Sequence, residues 1–196
     1  MKRSRILLYI VKNDVFSHPL LIGIRHHIYE SVLDLKLEKP YHIGSNVTLR
    51  TFSIGHLPNT SFSSKPGLHI GNDVFIDLIG SILIGKNVTI SFGTKILRHK
   101  HHILKSRLSD SKMSVNNLTI EDEAFIGCNS IILPKVERIG YGTIIGAGSV
   151  VTKNVKPLDI VAGNPARKIG KRDYSKLGEH EIIDEHDPSA RSWQAK

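Results

Sequence analysis

From Ile43 onward, an aliphatic residue followed by a small or acidic one returns at intervals of six. The pairs are Ile43-Gly44, Ile70-Gly71, Ile76-Asp77, Ile84-Gly85, Ile90-Ser91, Ile120-Glu121, Ile126-Gly127, Ile139-Gly140, Ile145-Gly146 and Val151-Thr152. Three positions behind each pair's second member comes a small or β-branched residue, as at Val47, Val74, Gly80, Val88, Thr94, Ala124, Ser130, Thr143, Ser149 and Val155. A period of six fits neither an amphipathic helix nor the two-residue alternation of an ordinary strand. It fits an all-β solenoid of triangular cross-section, in which three hexads complete one coil and each hexad is a short strand and a turn. The aliphatic residue points into the prism and stacks on its counterparts above and below, while the small residue lets the corner turn.

The rhythm breaks in three places. From Ile76 to Ile84 the step is eight, which predicts an enlarged turn around Gly80-Ser81. From Ile132 to Ile139 it is seven, which places one extra residue near Lys135–Arg138. Between Leu97 and Leu118 the repeat stops altogether, and the intervening 98–117 is polar and basic. A long excursion from a regular scaffold is where function concentrates.

Two flanks complete the chain. Residues 1–40 form an N-terminal flank with a helix expected from about Leu20 to Leu37, ending before Pro40. The apolar run Ile6–Val11 is closed by Lys12 and is too short for a secretory leader, so it reads as an element packed on the domain, and the protein as cytoplasmic. Residues 41–170 hold the solenoid, and 171–196 read as a polar tail, either a short helix or disordered.

Composition sharpens this picture. Only 6% of the 196 residues are aromatic, against 16 glycines, which suits a core of stacked aliphatics rather than a conventional packed one. The formal charge is +9, which invites a polyanionic partner: nucleic acid, an acidic lipid surface or a phosphate-rich cofactor. The basic surplus lies in 1–170, which holds 22 of the 27 basic residues and 12 of the 18 acidic ones. A single cysteine excludes an internal disulfide and a multi-cysteine zinc site.

The hexads, with FIGCNSIILPKV, IGYGTIIGAGSVVTKNV and IVAGNPARKIG, resemble the hexapeptide-repeat acyltransferases, whose fold is a left-handed parallel β-helix. GAGSVVTK together with AGNPAR resembles the subgroup of sugar O-acetyltransferases, the galactoside, maltose and colanic-acid-type enzymes. The resemblance covers about residues 41–170. It implies transfer of an acetyl group from acetyl-CoA to a saccharide hydroxyl, directly in a ternary complex, with a surface-polysaccharide precursor as one acceptor. It also implies a homotrimer whose sites form between subunits, and no metal.

Such a transfer needs a base for the hydroxyl proton, and a neutral histidine suits that at pH 7. Counting forward from Ile90-Ser91 without gaps, the family's catalytic histidine falls on His101, with His99 and His102 as its neighbours. An acceptor-site residue one coil earlier falls on Asp77, where galactoside-type enzymes carry Asn. A carboxylate there would orient the imidazole or bind a sugar hydroxyl. For the donor, the resemblance places Gly146, Ala147 and Gly148 along the pantetheine arm, followed by Thr152 and Lys153. Arg167 would meet the phosphates with its forked guanidinium. A second arginine of the family pattern is Gly170 here, so Lys168 or Lys171 would have to substitute. Cys128 aligns with a small residue near the thioester. It is read as a small buried turn residue, not as an acyl-carrying nucleophile.

Three other functions fit parts of the pattern. N-acylation of an amino sugar or antibiotic would use the same scaffold. A γ-carbonic-anhydrase-like metalloenzyme would need three spaced histidines, whereas His99, His101 and His102 are clustered and a distant one such as His69 would have to complete the set. A nucleic-acid binder lacks aromatic stacking groups beside its basic residues. Nucleic acid is therefore not expected as a partner, and membrane contact only through a lipid-linked acceptor.

Overall fold

In a computed structural model, which describes residues 13, 15, 18, 21–33, 35–50, 61–102 and 112–173, the hexads wind into three sheets around one aliphatic stack. The first sheet has five parallel strands, Leu35–Leu37, Phe62–Ser64, Ile82–Ile84, Leu118–Ile120 and Arg138–Ile139. The second has parallel strands Tyr41–Ile43, Leu68–Ile70, Thr89–Ile90, Phe125–Ile126, Ile144–Ile145 and Asp159–Ala162. The third comprises Thr48–Arg50, Phe75–Asp77, Lys95–Ile96, Ile131–Ile132 and Val150–Val151. Strands are this short because a corner must follow every hexad.

Register puts like on like. In the second sheet Ile43 pairs with Ile70, Ile70 with Ile90, Ile90 with Ile126, and Ile126 with Ile145. All five are fully buried. The position four residues on is also internal: Val47, Val74, Val88, Thr94, Ser130, Thr143 and Ser149 have no exposed surface. The small hydroxyls there are satisfied locally, as when Thr94 Oγ1 donates to the Gly127 carbonyl.

The corner glycines work differently from the expectation. The left-handed backbone positions are Asn46, Asp73, Gly93, Asn129 and Gly148 along one edge, two residues beyond the Ile-Gly pair. Asn and Asp tolerate that region better than other side-chain-bearing residues. The glycine of the pair is required by distance instead. A Cβ on Gly127 would lie 2.6 Å from the Ile145 carbonyl oxygen and 2.7 Å from the Ala147 nitrogen of the next coil.

The flanks adjust the expected boundaries. Helix α1 runs Ile22–Leu33, and Leu35–Leu37, expected as its end, is instead the first strand, paired with Phe62–Ser64. Alternating Leu35 and Leu37 suits a strand laid against an existing sheet edge. The helix crosses the open end of the prism. The buried Tyr29 hydroxyl donates to the Val47 carbonyl at 3.0 Å, and the fully buried Arg25 guanidinium to the Ile43 carbonyl. At the other end Arg167–Lys171 turns back antiparallel on Asp159–Ala162 and covers the last edge. The Ile6–Val11 run and 174–196 lie outside the described residues. Among the described residues no helix is long and apolar enough to cross a membrane.

Near the helix, His42 stacks on His69 at 4.8 Å, and His26 lies against Tyr41 at 4.7 Å while its Nε2 accepts the Ile43 N–H. Burial first, then His42 and Arg25, push His26 down to about 4, against the opposing effect of Glu30. Burial also lowers His42 and His69. Well above pH 6.5 these rings are neutral in both folded and unfolded chains. As pH falls from 6.5 towards 4 the unfolded chain takes up more protons, so stability falls. Tm is therefore expected to drop on acidification through this window, and His26→Gln, which keeps an acceptor without titrating, to make the drop shallower. In the stack, Ile126→Ala is expected to cost about 2–5 kcal/mol and Ile126→Val about 0.5–1.5 kcal/mol, measured by urea unfolding.

Candidate active site

Phe75–Asp77 ends at a corner of the prism, and Asp77, the residue after the inward Ile76, stands at the start of the turn rather than in the aliphatic stack. It is 1% exposed. A buried carboxylate needs donors, and the corner supplies them: Ile79 N–H donates to Oδ1 at 3.2 Å and Arg98 N–H to Oδ2 at 3.1 Å. The remaining partner is His99, whose Nδ1 meets Oδ2 in a short hydrogen bond.

His99 stands where the chain leaves the third sheet. Thr94 to Leu97 still follow the coil, with Leu97 N–H donating to the Ile132 carbonyl. Arg98 spends its backbone N–H on Asp77, and the next side chain reaches the carboxylate. His99–His102 then pairs antiparallel with Lys112–Val115 as a hairpin rising off the corner. Residues 103–111 of the predicted excursion lie outside the described residues. With Nδ1–H given to Asp77, Nε2 is the basic nitrogen of a neutral His99. The side chain is 22% exposed, enough for one ring edge to meet a substrate.

His101 and His102 are exposed on the hairpin. The His101 ring stands edge-on to His99 at 5.2 Å, and His102 Nε2 meets Ser114 Oγ at 2.9 Å. The gap-free count carried the family's spacing onto His101; in the structure the coil ends at Leu97, and it is His99 that sits on the buried carboxylate. Its signal in the sequence was its place directly after the last hexad.

The donor candidates fall into two groups. Thr152, Lys153, Arg167 and Lys168 line one open cleft of about 350 Å³, together with Asn154, Lys156 and Asp159. Lys168 Nζ is tied to Asp159 at 2.5 Å, and Asp159 is nearly buried. Lys156, three residues after Lys153, is a cation of this cleft that the motif reading missed. Gly170 packs beside Ile160 on the closing strand. The second group lies on another edge: Gly146, Ala147 and Gly148 turn one coil beyond Cys128, and Gly148 N–H donates to the Cys128 carbonyl at 2.8 Å. Cys128 is exposed, not buried as expected, because the corner column faces outward.

The corner carrying His99 and the turn Thr152–Asn154 share an edge of the prism, since the strands before them, Lys95–Ile96 and Val150–Val151, both pair with Ile131–Ile132. At about 4.8 Å per coil the two turns are roughly 10 Å apart along the axis. His69 belongs to the second sheet, away from His99. Among the described residues, no group of three His, Cys, Asp or Glu side chains is placed to hold a metal ion.

No family model matches the chain. It is 33% identical over 175 residues to the galactoside O-acetyltransferase of Escherichia coli (strain K12), covering 85% of the chain and 76% of that protein. A solved structure of galactoside acetyltransferase in complex with coenzyme A matches with a TM-score of 0.68 at 23% identity, covering 93% of the chain and 84% of that one. A hexapeptide-repeat-containing acetyltransferase from Vibrio cholerae O1 biovar eltor, complexed with acetyl-coenzyme A, matches with a TM-score of 0.66 at 21% identity, over 88% of the chain and 89% of that one. The two structures speak for the fold, a left-handed parallel β-helix.

Proposed function

The chain belongs to the hexapeptide-repeat acetyltransferases, and from that premise we propose that it carries the acetyl group of acetyl-CoA to a saccharide hydroxyl with His99 as general base. The observation that carries this reading is the buried Asp77 carboxylate on His99 Nδ1. Nε2 takes the hydroxyl proton as the acceptor oxygen attacks the thioester carbonyl carbon. Asp77 steadies the imidazolium that results. When the C–S bond breaks, the imidazolium returns its proton to the departing thiolate, so the base is regenerated within one turnover.

The donor is read onto the two groups of residues already described. Lys153 and Arg167, with Lys156, offer the cleft's cations to the phosphates, and Lys168 joins them to the extent that Asp159 releases it. Thr152 lies on the cleft wall, and Gly146, Ala147, Gly148 and Cys128 would border the pantetheine arm. We assign Cys128 no covalent step. A C3 homotrimer would cover the open groove, and the exposed Phe92, Phe125 and Ile169 support a surface covered by a neighbour. The hairpin, with Lys100, His101, His102 and Lys112, would face the acceptor, and its basic character favours an anionic saccharide. The use of acetyl-CoA as donor supports a cytoplasmic enzyme, with membrane contact only for a lipid-linked acceptor.

Thiol release from acetyl-CoA with a saccharide panel tests the assignment. His99→Ala is expected to lower kcat by about 10²–10⁴-fold with the KM for acetyl-CoA little changed, and Asp77→Asn to lower it in the same direction. His101→Ala and Cys128→Ser should keep most of the activity. The reverse order of His99 and His101 would move the base to His101.

A further inference from the structure

The two smaller breaks in the hexad rhythm face the same pair of residues, Arg98 and Asn116, at the neck of the hairpin. Their backbones are joined there, Asn116 N–H donating to the Arg98 carbonyl at 3.0 Å. On one side is the enlarged turn at Gly80. A Cβ on Gly80 would lie 2.3 Å from the Asn116 carbonyl oxygen and 3.1 Å from Arg98 Cβ, so only glycine lets the neck sit this low. On the other side is the turn with the extra residue. Arg98 Nη1 donates to the Val136 carbonyl at 2.8 Å and Nη2 to that of Pro134, while Asn116 Nδ2 donates to Glu137 Oε1 at 2.8 Å.

Arg98 is fully buried. A guanidinium in that position costs free energy unless charge and hydrogen bonds compensate it. Asp77 and Glu137 supply the charge, and burial still draws Arg98 down only to about 10, so it is a cation at neutral pH. Its Nε is buried with no hydrogen-bond partner among the described residues, a residual cost that an apolar side chain would avoid. That cost falls at the one residue whose own N–H shares Asp77 Oδ2 with His99.

We propose that Arg98 is a positioning residue for His99: its buried guanidinium locks the hairpin neck onto the Pro134–Val136 turn and thereby holds the imidazole on Asp77. This role rests on the reading of His99 as the base. The two irregular turns are then the socket for the neck.

Arg98→Lys keeps a charge but cannot span both carbonyls, Arg98→Met removes the charge as well, and Gly80→Ala pushes the neck from the opposite side. In each, kcat is expected to fall about 10–100-fold while the KM for acetyl-CoA stays within about twofold, because misplacing a base by an ångström is enough for such a loss. The readout independent of turnover is the low-field proton resonance of His99 Nδ1–H, which should weaken or vanish in all three. Folded variants that keep both kcat and that resonance would overturn the proposal. Should Arg98→Met fail to fold, Arg98→Lys and Gly80→Ala carry the same test. If the wild-type protein releases no thiol with any saccharide, the acetyl-transfer reading fails, and the resonance still decides the role of Arg98.

Discussion

Each coil of this protein must hydrogen-bond to the next at the inter-strand distance of about 4.8 Å, and the rest of the structure depends on that spacing. It makes each inward position a neighbour of its own equivalent, which is why Ile43, Ile70, Ile90, Ile126 and Ile145 form one continuous column. It brings corner backbones so close that Gly127 leaves no room for a Cβ against Ile145 and Ala147. It also dictates where the chain can leave. A strand interior cannot release a segment without breaking two ladders at once, so the long hairpin exits at a corner, after Leu97, and rejoins at Leu118.

Against this apolar column the candidate active site is an electrostatic exception. Asp77 and Arg98 are charges buried at a corner of a prism whose interior is aliphatic. They are tolerated because the corner breaks the ladder and leaves N–H and C=O groups that need partners. Ile79 and Arg98 give their N–H groups to Asp77, and Val136 and Pro134 give their carbonyls to Arg98. The carboxylate that stabilises the corner is therefore the same group that orients an imidazole. Structure and proposed chemistry share one hydrogen-bond network.

The positive charge finds a similar division. Part of it is used within the fold, as with Arg25 at the capped end and Lys168 on Asp159. Part is presented outward, at Lys153, Lys156 and Arg167 around the cleft and on the hairpin. A phosphate-bearing donor and an anionic acceptor would draw on these separate groups, which a single net charge does not distinguish.

The hexad rhythm alone determined the solenoid, the inward residues and both irregular turns, because each coil repeats the same environment and a repeated environment leaves a repeated pattern. Cleft residues such as Lys153 and Arg167 were legible through their short motifs. The tertiary structure decided what that pattern does not encode. That Leu35–Leu37 is a strand depended on an edge supplied by Phe62–Ser64, far along the chain. That Cys128 is exposed depended on which side of the corner column faces out. That His99, rather than His101, meets the carboxylate depended on Asp77, 22 residues earlier, and on the residue at which the coil is abandoned. Periodic contacts follow from period, whereas a contact between a corner and an excursion forms once and leaves no second copy in the sequence.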